Sequence, residues 1–138
     1  MNPTVPAHFT PLFRSSPFLD LIGPLYNTGM GAQLVIGFHV QEKHTNARGL
    51  LHGGVLSAVA DVALGYSLST STSPPTAMVT ANLTLDFAGS AKPGDWVETS
   101  VDIQKVGSRL AFANAYFNVG AERIARASAV FLVQEPRR

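Results

Sequence analysis

The chain contains no cysteine, which excludes disulfides, thiolate nucleophiles and cysteine-based metal sites. This absence agrees with a reducing compartment, and the proline-containing N-terminal residues do not have the pattern of a secretory signal. We therefore expect a cytoplasmic protein.

Charge is also scarce, since charged residues make up 14% of the chain and its net charge is +1, whereas soluble domains typically contain about 25%. The one basic cluster is the terminal pair Arg137 and Arg138, so we expect no nucleic-acid binding. No segment supplies the roughly 18 consecutive apolar residues of a membrane span. Because 46% of the residues are nevertheless hydrophobic, we expect a homodimer that assembles further into a homotetramer.

The 138 residues fit one domain, with an N-terminal arm and short helix in residues 1–30 and the main domain in residues 31–138. Apolar residues alternate through residues 32–40, which predicts a strand, and a polar loop follows at 41–49. Turn signals separate four further predicted strands. These strands span residues 77–87, 96–106, 110–119 and 123–133.

Two helices are predicted after an irregular stretch at residues 1–14. The first spans 17–25, with Phe18, Leu21 and Ile22 on one side. The second runs from Gly53 to about Thr70 and is apolar on nearly every side, which is typical of a buried helix.

Small residues alternate along the last two predicted strands and form one face on each. They are Ala111, Ala113 and Ala115 on one strand and Ala125, Ala127 and Ala129 on the next. These small side chains would form a shallow trough on the sheet, and the long helix could lie close to the sheet in that trough. The sequence therefore predicts an α+β fold, in which one antiparallel sheet wraps around one central helix.

Asp61 is the one charged residue between His52 and Pro74. Burying an isolated carboxylate costs several kcal/mol unless partners compensate. Asp61 is therefore either a structural hydrogen-bonding residue at a polar rim or a functional group.

Gly53 and Gly54 begin the same helix, where backbone N–H groups lack helical partners and the macrodipole is positive. A thioester carbonyl at these groups would be polarised as in an oxyanion hole, although a plain tight turn also explains a Gly-Gly pair. His52 is suited to orient this loop. His39, His44 and His52 lack a carboxylate at metal-ligand spacing, so we expect no metal site.

Gly54 and Asp61 lie on the same helix face but roughly 10 Å apart along its axis. One reacting carbonyl must approach both groups within about 3 Å. A single helix does not meet this requirement easily. Two antiparallel copies across a two-fold axis would bring Gly54 of one chain near Asp61 of the other.

The string from Asn46 through Gly49, His52, Gly53 and Gly54 to Asp61 resembles the hotdog-fold acyl-CoA thioesterases. The resemblance is to the phenylacetate-pathway (PaaI-like) branch of the 4-hydroxybenzoyl-CoA thioesterase superfamily, and covers residues 31–133. Supporting segments are residues 78–87, 92–95 and 106–112. Residues 88–90 depart from the pattern, because relatives often carry a bulkier residue and an Arg-Pro pair there.

The resemblance implies that Asp61 acts as general base or nucleophile and that the Gly54 amide polarises the thioester carbonyl. It further implies that Asn46 helps to place the water or substrate and that Thr80 steadies the water. No cofactor is implied. Coenzyme A would lie on the surface, with Lys105 and Arg109 as the first candidates for its phosphates and Arg48 and Arg126 as the second.

The expected reaction is hydrolysis of an acyl-CoA to a free acid and CoA. Two alternatives stay open: a hydratase or dehydratase of the same fold, and a non-catalytic acyl-CoA-binding module. The sequence does not define the acyl group. Candidates for lining its pocket are Phe18, Leu21, Tyr26, Leu64 and Leu68.

Overall fold

The computed structural model describes residues 4–134, which contain one antiparallel sheet and one long helix. Residues 1–3 and 135–138, which belong to the predicted arm and main domain, lie outside this description. The strands are β1 (Thr10–Pro11), β2 (Tyr26–Thr28), β3 (Val35–His39), β4 (Met78–Phe87), β5 (Trp96–Val106), β6 (Leu110–Val119) and β7 (Glu122–Val133). The α-helices are α1 (Pro17–Ile22) and α2 (Gly53–Thr70), and short 3-10 helices occur at Gly31–Gln33 and Glu42–His44.

The strand order is β1-β2-β3-β5-β6-β7-β4, and all neighbouring pairs are antiparallel. The chain leaves β3, crosses the sheet as α2 and enters β4 at the opposite edge. It then returns to the centre as β5. This crossing places α2 over the sheet and leaves β4 with one unpaired edge, and it confirms the predicted architecture.

The alanine trough is present as the sequence predicts. Ala113 pairs with Ala129 and Ala115 with Ala127 on β6 and β7, and all six alanines of the trough are buried. The face of α2 that packs on this sheet is buried as well. Its members are Leu56, Val59, Ala60, Ala63, Leu64, Ser67 and Leu68.

The other face of α2 is only partly covered, and the expectation of a helix buried on every side is wrong for the single chain. Val55, Ala58, Val62 and Tyr66 are half-buried. The sheet reaches one side of the helix alone, and the N-terminal segment covers part of the other through a contact between the Phe13 and Tyr66 rings, whose centroids lie 5.2 Å apart.

The N-terminal region differs from the prediction. β1 forms within residues 1–14, the stretch expected to be irregular, and β2 forms at Tyr26–Thr28, after the predicted helix; both strands extend the sheet. α1 ends at Ile22, before Gly23 and Pro24, and it buries Leu19, whereas Phe18 and Leu21 are 55% and 73% exposed. The predicted apolar side was therefore one residue out of phase: Leu19 and Ile22, three residues apart, face inward.

His44 connects α1 to the loop that leads into α2. Its Nε2 donates to the Ile22 carbonyl at 2.6 Å, its Nδ1 accepts from the Gln41 N–H at 2.9 Å, and its own carbonyl accepts from the His52 N–H. Burial lowers the pKa of His44 below the ordinary value of 6.5; the Ile22 hydrogen bond opposes this shift and Lys43 adds to it. A protonated ring could not accept from Gln41.

The depressed pKa predicts an acid-sensitive fold. As the pH falls below about 6.5, the unfolded chain binds the His44 proton before the folded chain does, so this stabilisation is complete above pH 6.5 and declines below it. Urea unfolding at pH 7.5 and 5.5 measures the loss. Between these pH values we expect His44→Gln, whose side chain does not titrate, to lose less stability than wild type. The control variant His8→Asn, which changes an exposed histidine, should lose as much stability as wild type. An equal loss in His44→Gln would assign the acid sensitivity elsewhere.

Candidate active site

Asp61 projects from the partly covered face of α2 and is held by the edge strand. The Thr80 hydroxyl of β4 donates to Asp61 Oδ1 at 2.5 Å. Thr80 precedes a bulge, because the pairing of β4 with β7 shifts register between Thr80 and Asn82. The structure thus brings together two residues that the sequence singled out, and one carboxylate oxygen, Oδ2, keeps no protein partner among residues 4–134.

Asp61 and Thr80 line a cleft of about 370 Å³ between α2, β4 and the N-terminal segment. Its apolar wall includes Val62, Met78 and Phe131. Its polar wall includes Arg14, Tyr66 and Ser69. None of the five residues proposed from sequence for the acyl pocket lines this cleft: Leu64 and Leu68 are in the core under α2, and Phe18, Leu21 and Tyr26 lie elsewhere.

Sequence reasoning missed the polar wall. Tyr66 and Ser69 follow Val62 at the helical spacing of four and seven residues. The sequence could therefore have predicted that these three residues share one face of α2. Arg14 carried no such signal, because its position depends on how the N-terminal segment folds back onto α2.

The tip of α2 has a defined hydrogen-bond pattern. His52 is the N-cap residue, and its Nδ1 accepts from the Gly54 N–H at 2.8 Å. A substrate carbonyl would therefore compete with His52 for the Gly54 amide. The Gly53 N–H has no hydrogen-bond partner among the described residues, and a Cβ at Gly53 would meet the Phe87 ring at 3.1 Å.

The helix tip and Asp61 do not share a cleft within one chain. Neither Gly53 nor Gly54 lines the cleft beside Asp61. Eight residues separate Gly53 from Asp61, which corresponds to about 12 Å along α2. Within one chain, the helix tip and Asp61 are thus too far apart to reach the same carbonyl, as the sequence predicted.

Asn46 organises the loop before α2. Its Oδ1 accepts from the N–H groups of Arg48 and Leu50, at 2.9 and 3.2 Å, and its own N–H donates to the Leu50 carbonyl. This Asx-type arrangement fixes the turn through the side-chain oxygen. The side-chain amide nitrogen has no partner among residues 4–134, and it is the atom that remains for a substrate or water.

The candidate cations lie at separate places. Lys105 and Arg109 flank the exposed hairpin between β5 and β6, and Arg48 is exposed in the loop before α2. Arg126 forms an ion pair with Asp86 at 2.9 Å, with both side chains largely exposed. Lys105, Arg109 and Arg48 have no such partner within the described part of the chain.

The three histidines that were considered as metal ligands make other contacts. His39 Nε2 lies 3.1 Å from the Thr4 carbonyl, and His44 and His52 make the bonds given above. Between residues 4 and 134, no three side chains of the His, Asp and Glu types cluster as metal ligands would. No helix of that range is long and apolar enough to cross a bilayer.

Known proteins with similar sequences include an esterase and an acyl-coenzyme A thioesterase. Residues 48–117 match the family model described as Thioesterase superfamily. A Pseudomonas aeruginosa protein named as an esterase is 49% identical over 128 residues, covering 92% of this chain and 96% of that protein. Acyl-coenzyme A thioesterase 13 of Mus musculus is 32% identical over 83 residues, covering 59% of this chain and 58% of the mouse protein.

The fold is shared with the E. coli PaaI protein from the phenylacetic acid degradation operon. The two structures superpose with a TM-score of 0.79 at 19% identity, over 87% of this chain and 86% of that one. The chain has the hotdog fold and belongs to the thioesterase superfamily, a family of thioester hydrolases, as the resemblance in its sequence predicts.

Proposed function

We propose that the protein hydrolyses an acyl-CoA to a free carboxylic acid and CoA, with Asp61 as its central catalytic residue. The observation that carries this proposal is the Asp61–Thr80 pair, which places a carboxylate with one free oxygen at a cleft of acyl-group size. Membership of the thioesterase superfamily supports the reaction, and the similarity to a mouse acyl-coenzyme A thioesterase supports the CoA ester.

Asp61 acts in one of two ways. Its free oxygen either takes a proton from the attacking water, or attacks the thioester carbonyl to form an anhydride that water then opens. Thr80 serves both routes, since its hydroxyl fixes the orientation of the carboxylate. In either case the thiolate of CoA leaves and takes up a proton, and one water molecule is consumed for each acid released.

The active site is proposed to form between two antiparallel copies of the chain. The half-buried face of α2 and the unpaired edge of the ten-residue strand β4 are both open to a second copy. An unpaired strand edge readily pairs with another strand. Such a dimer would bring the helix tip of one chain to Asp61 of the other and would create two equivalent sites.

The carbonyl oxygen is proposed to lie at the N–H groups of the helix tip. Gly53 offers the free amide, whereas the Gly54 amide becomes available when His52 turns away. Asn46 presents its amide nitrogen from the preceding loop. Charge that develops on the oxygen during attack is stabilised there by the amides and the positive end of the helix dipole.

The phosphates of CoA are proposed to meet exposed cations. Lys105, Arg109 and Arg48 are available, while Arg126 is engaged by Asp86. Two dimers could join into a tetramer through the sheet, because exposed Val79, Leu132 and Leu110 lie side by side on adjacent strands β4, β7 and β6.

Replacing Asp61 with asparagine tests the catalytic assignment. We expect Asp61→Asn to keep the fold and to lower thiol release from a panel of acyl-CoAs by at least about 100-fold, because the proton acceptor or nucleophile is gone. Asp102→Asn, which changes an exposed carboxylate on β5 of the same sheet, is the control and should retain turnover. Full activity of Asp61→Asn would end the proposal, and binding without release by wild type would favour the acyl-CoA-binding module.

Substitution of Gly53 tests the oxyanion donor. Proline is favoured at the first helical position, and His52 already has the extended conformation (φ −71°, ψ 133°) that a residue before proline requires. We therefore expect Gly53→Pro to fold but to lose about 100-fold in kcat, since the free N–H is removed. Gly53→Ala is the matched control, because its methyl also presses on Phe87 but its amide remains. Equal kcat values for the two variants would show that this amide is not the donor.

A further inference from the structure

The cleft beside Asp61 carries more polar groups than a hydrocarbon acyl chain requires. Pockets for such groups are lined mostly by apolar side chains, with a few polar groups that fix orientation. Here Arg14, Tyr66 and Ser69 join Asp61 and Thr80 in the lining. The hydroxyls of Tyr66 and Ser69 have no hydrogen-bond partner among residues 4–134.

Arg14 lines the cleft and directly follows Phe13, which contacts Tyr66. The neighbouring Phe13 ring packs against the Tyr66 ring at 5.2 Å between centroids. Tyr66 lies five residues beyond Asp61, about 7.5 Å further along α2. No carboxylate of residues 4–134 lies within 4.0 Å of the Arg14 guanidinium, Asp61 included.

Besides Asp61 and Thr80, the cleft therefore offers three donor side chains without a matching acceptor among residues 4–134. A guanidinium binds a carboxylate through two parallel hydrogen bonds. The hydroxyls of Tyr66 and Ser69 can donate to the remaining lone pairs of the same carboxylate. The other two serines of the lining do not contribute, since Ser15 donates to Asp20 and Ser16 accepts from the Leu19 N–H. The unmatched set is complementary to an anion.

We propose that the preferred acyl group is that of a dicarboxylic acid of medium length, whose free carboxylate is bound by Arg14, Tyr66 and Ser69. The inference rests on the proposed acyl-CoA hydrolysis. The phosphates of CoA are a less suitable anion, because the long pantetheine arm separates them from the thioester whereas Arg14 shares a cleft with Asp61. Arg14 is on this basis the residue that determines acyl specificity.

The test compares kcat/KM for adipoyl-CoA and hexanoyl-CoA, which have the same number of carbons and differ in the terminal carboxylate. Wild type should prefer adipoyl-CoA by at least about tenfold. Arg14→Gln should bring the ratio of the two values close to 1, and Arg14→Lys should restore part of it. Arg123→Gln is the control, because Arg123 lies over the Tyr116 ring away from this cleft; it should keep the wild-type ratio.

Two results would overturn the inference. The first is a wild-type preference for hexanoyl-CoA. The second is an equal loss of kcat/KM with both substrates in Arg14→Gln, which would assign Arg14 to CoA binding or to positioning the N-terminal segment. Calorimetric binding of both thioesters to Asp61→Asn separates this failure from failure of the proposed function. If wild type releases thiol from neither of these substrates nor from any other acyl-CoA of the panel, the hydrolysis proposal fails. A binding preference for adipoyl-CoA that disappears with Arg14→Gln would still support the carboxylate site, and lack of that preference would refute it.

Discussion

The structure depends on how one helix is covered. Six alanines on β6 and β7 let α2 lie close to the sheet, and the apolar residues of one helix face fill that contact. The same close packing leaves the opposite face only partly covered by its own chain. Asp61 lies on that opposite face, where a carboxylate does not have to be buried in the core.

This arrangement separates the two features of α2 that the proposed mechanism uses. Its N-terminus offers the unpartnered Gly53 amide and a positive dipole end, and its middle offers a carboxylate held by Thr80. The helix geometry keeps these features about 12 Å apart. A site that uses both requires a second copy of the chain, and the open helix face and the unpaired edge of β4 are the surfaces available to it.

Much of this could be predicted from sequence because it depends on local patterns. The turn signals bounded β5 and β6 to the residue, and the alanine alternation predicted the face that meets α2. Thr80 was placed by resemblance, and the structure sets it against Asp61. These features require only the periodicity of one element or a motif of fixed spacing.

The features that sequence did not predict arise from long-range packing. The phase of α1 follows from its Ser16 cap and the core around Leu19, and β1 and β2 are strands only because β3 pairs with β2. Arg14 reaches the cleft because Phe13 packs on Tyr66. The bond between Gly54 and His52 depends on a side-chain rotamer, which no sequence pattern specifies.

The central claim is that one chain's Asp61 works with the other chain's helix tip. It is tested most directly by a hybrid dimer of an Asp61→Asn chain and a Gly53→Pro chain, purified through two different affinity tags. Each parent dimer lacks a complete site, whereas the hybrid has one intact site of two. Thiol release at about half the wild-type rate per dimer is the predicted result. A hybrid that is isolated as a dimer and remains as inactive as its parents would contradict the claim.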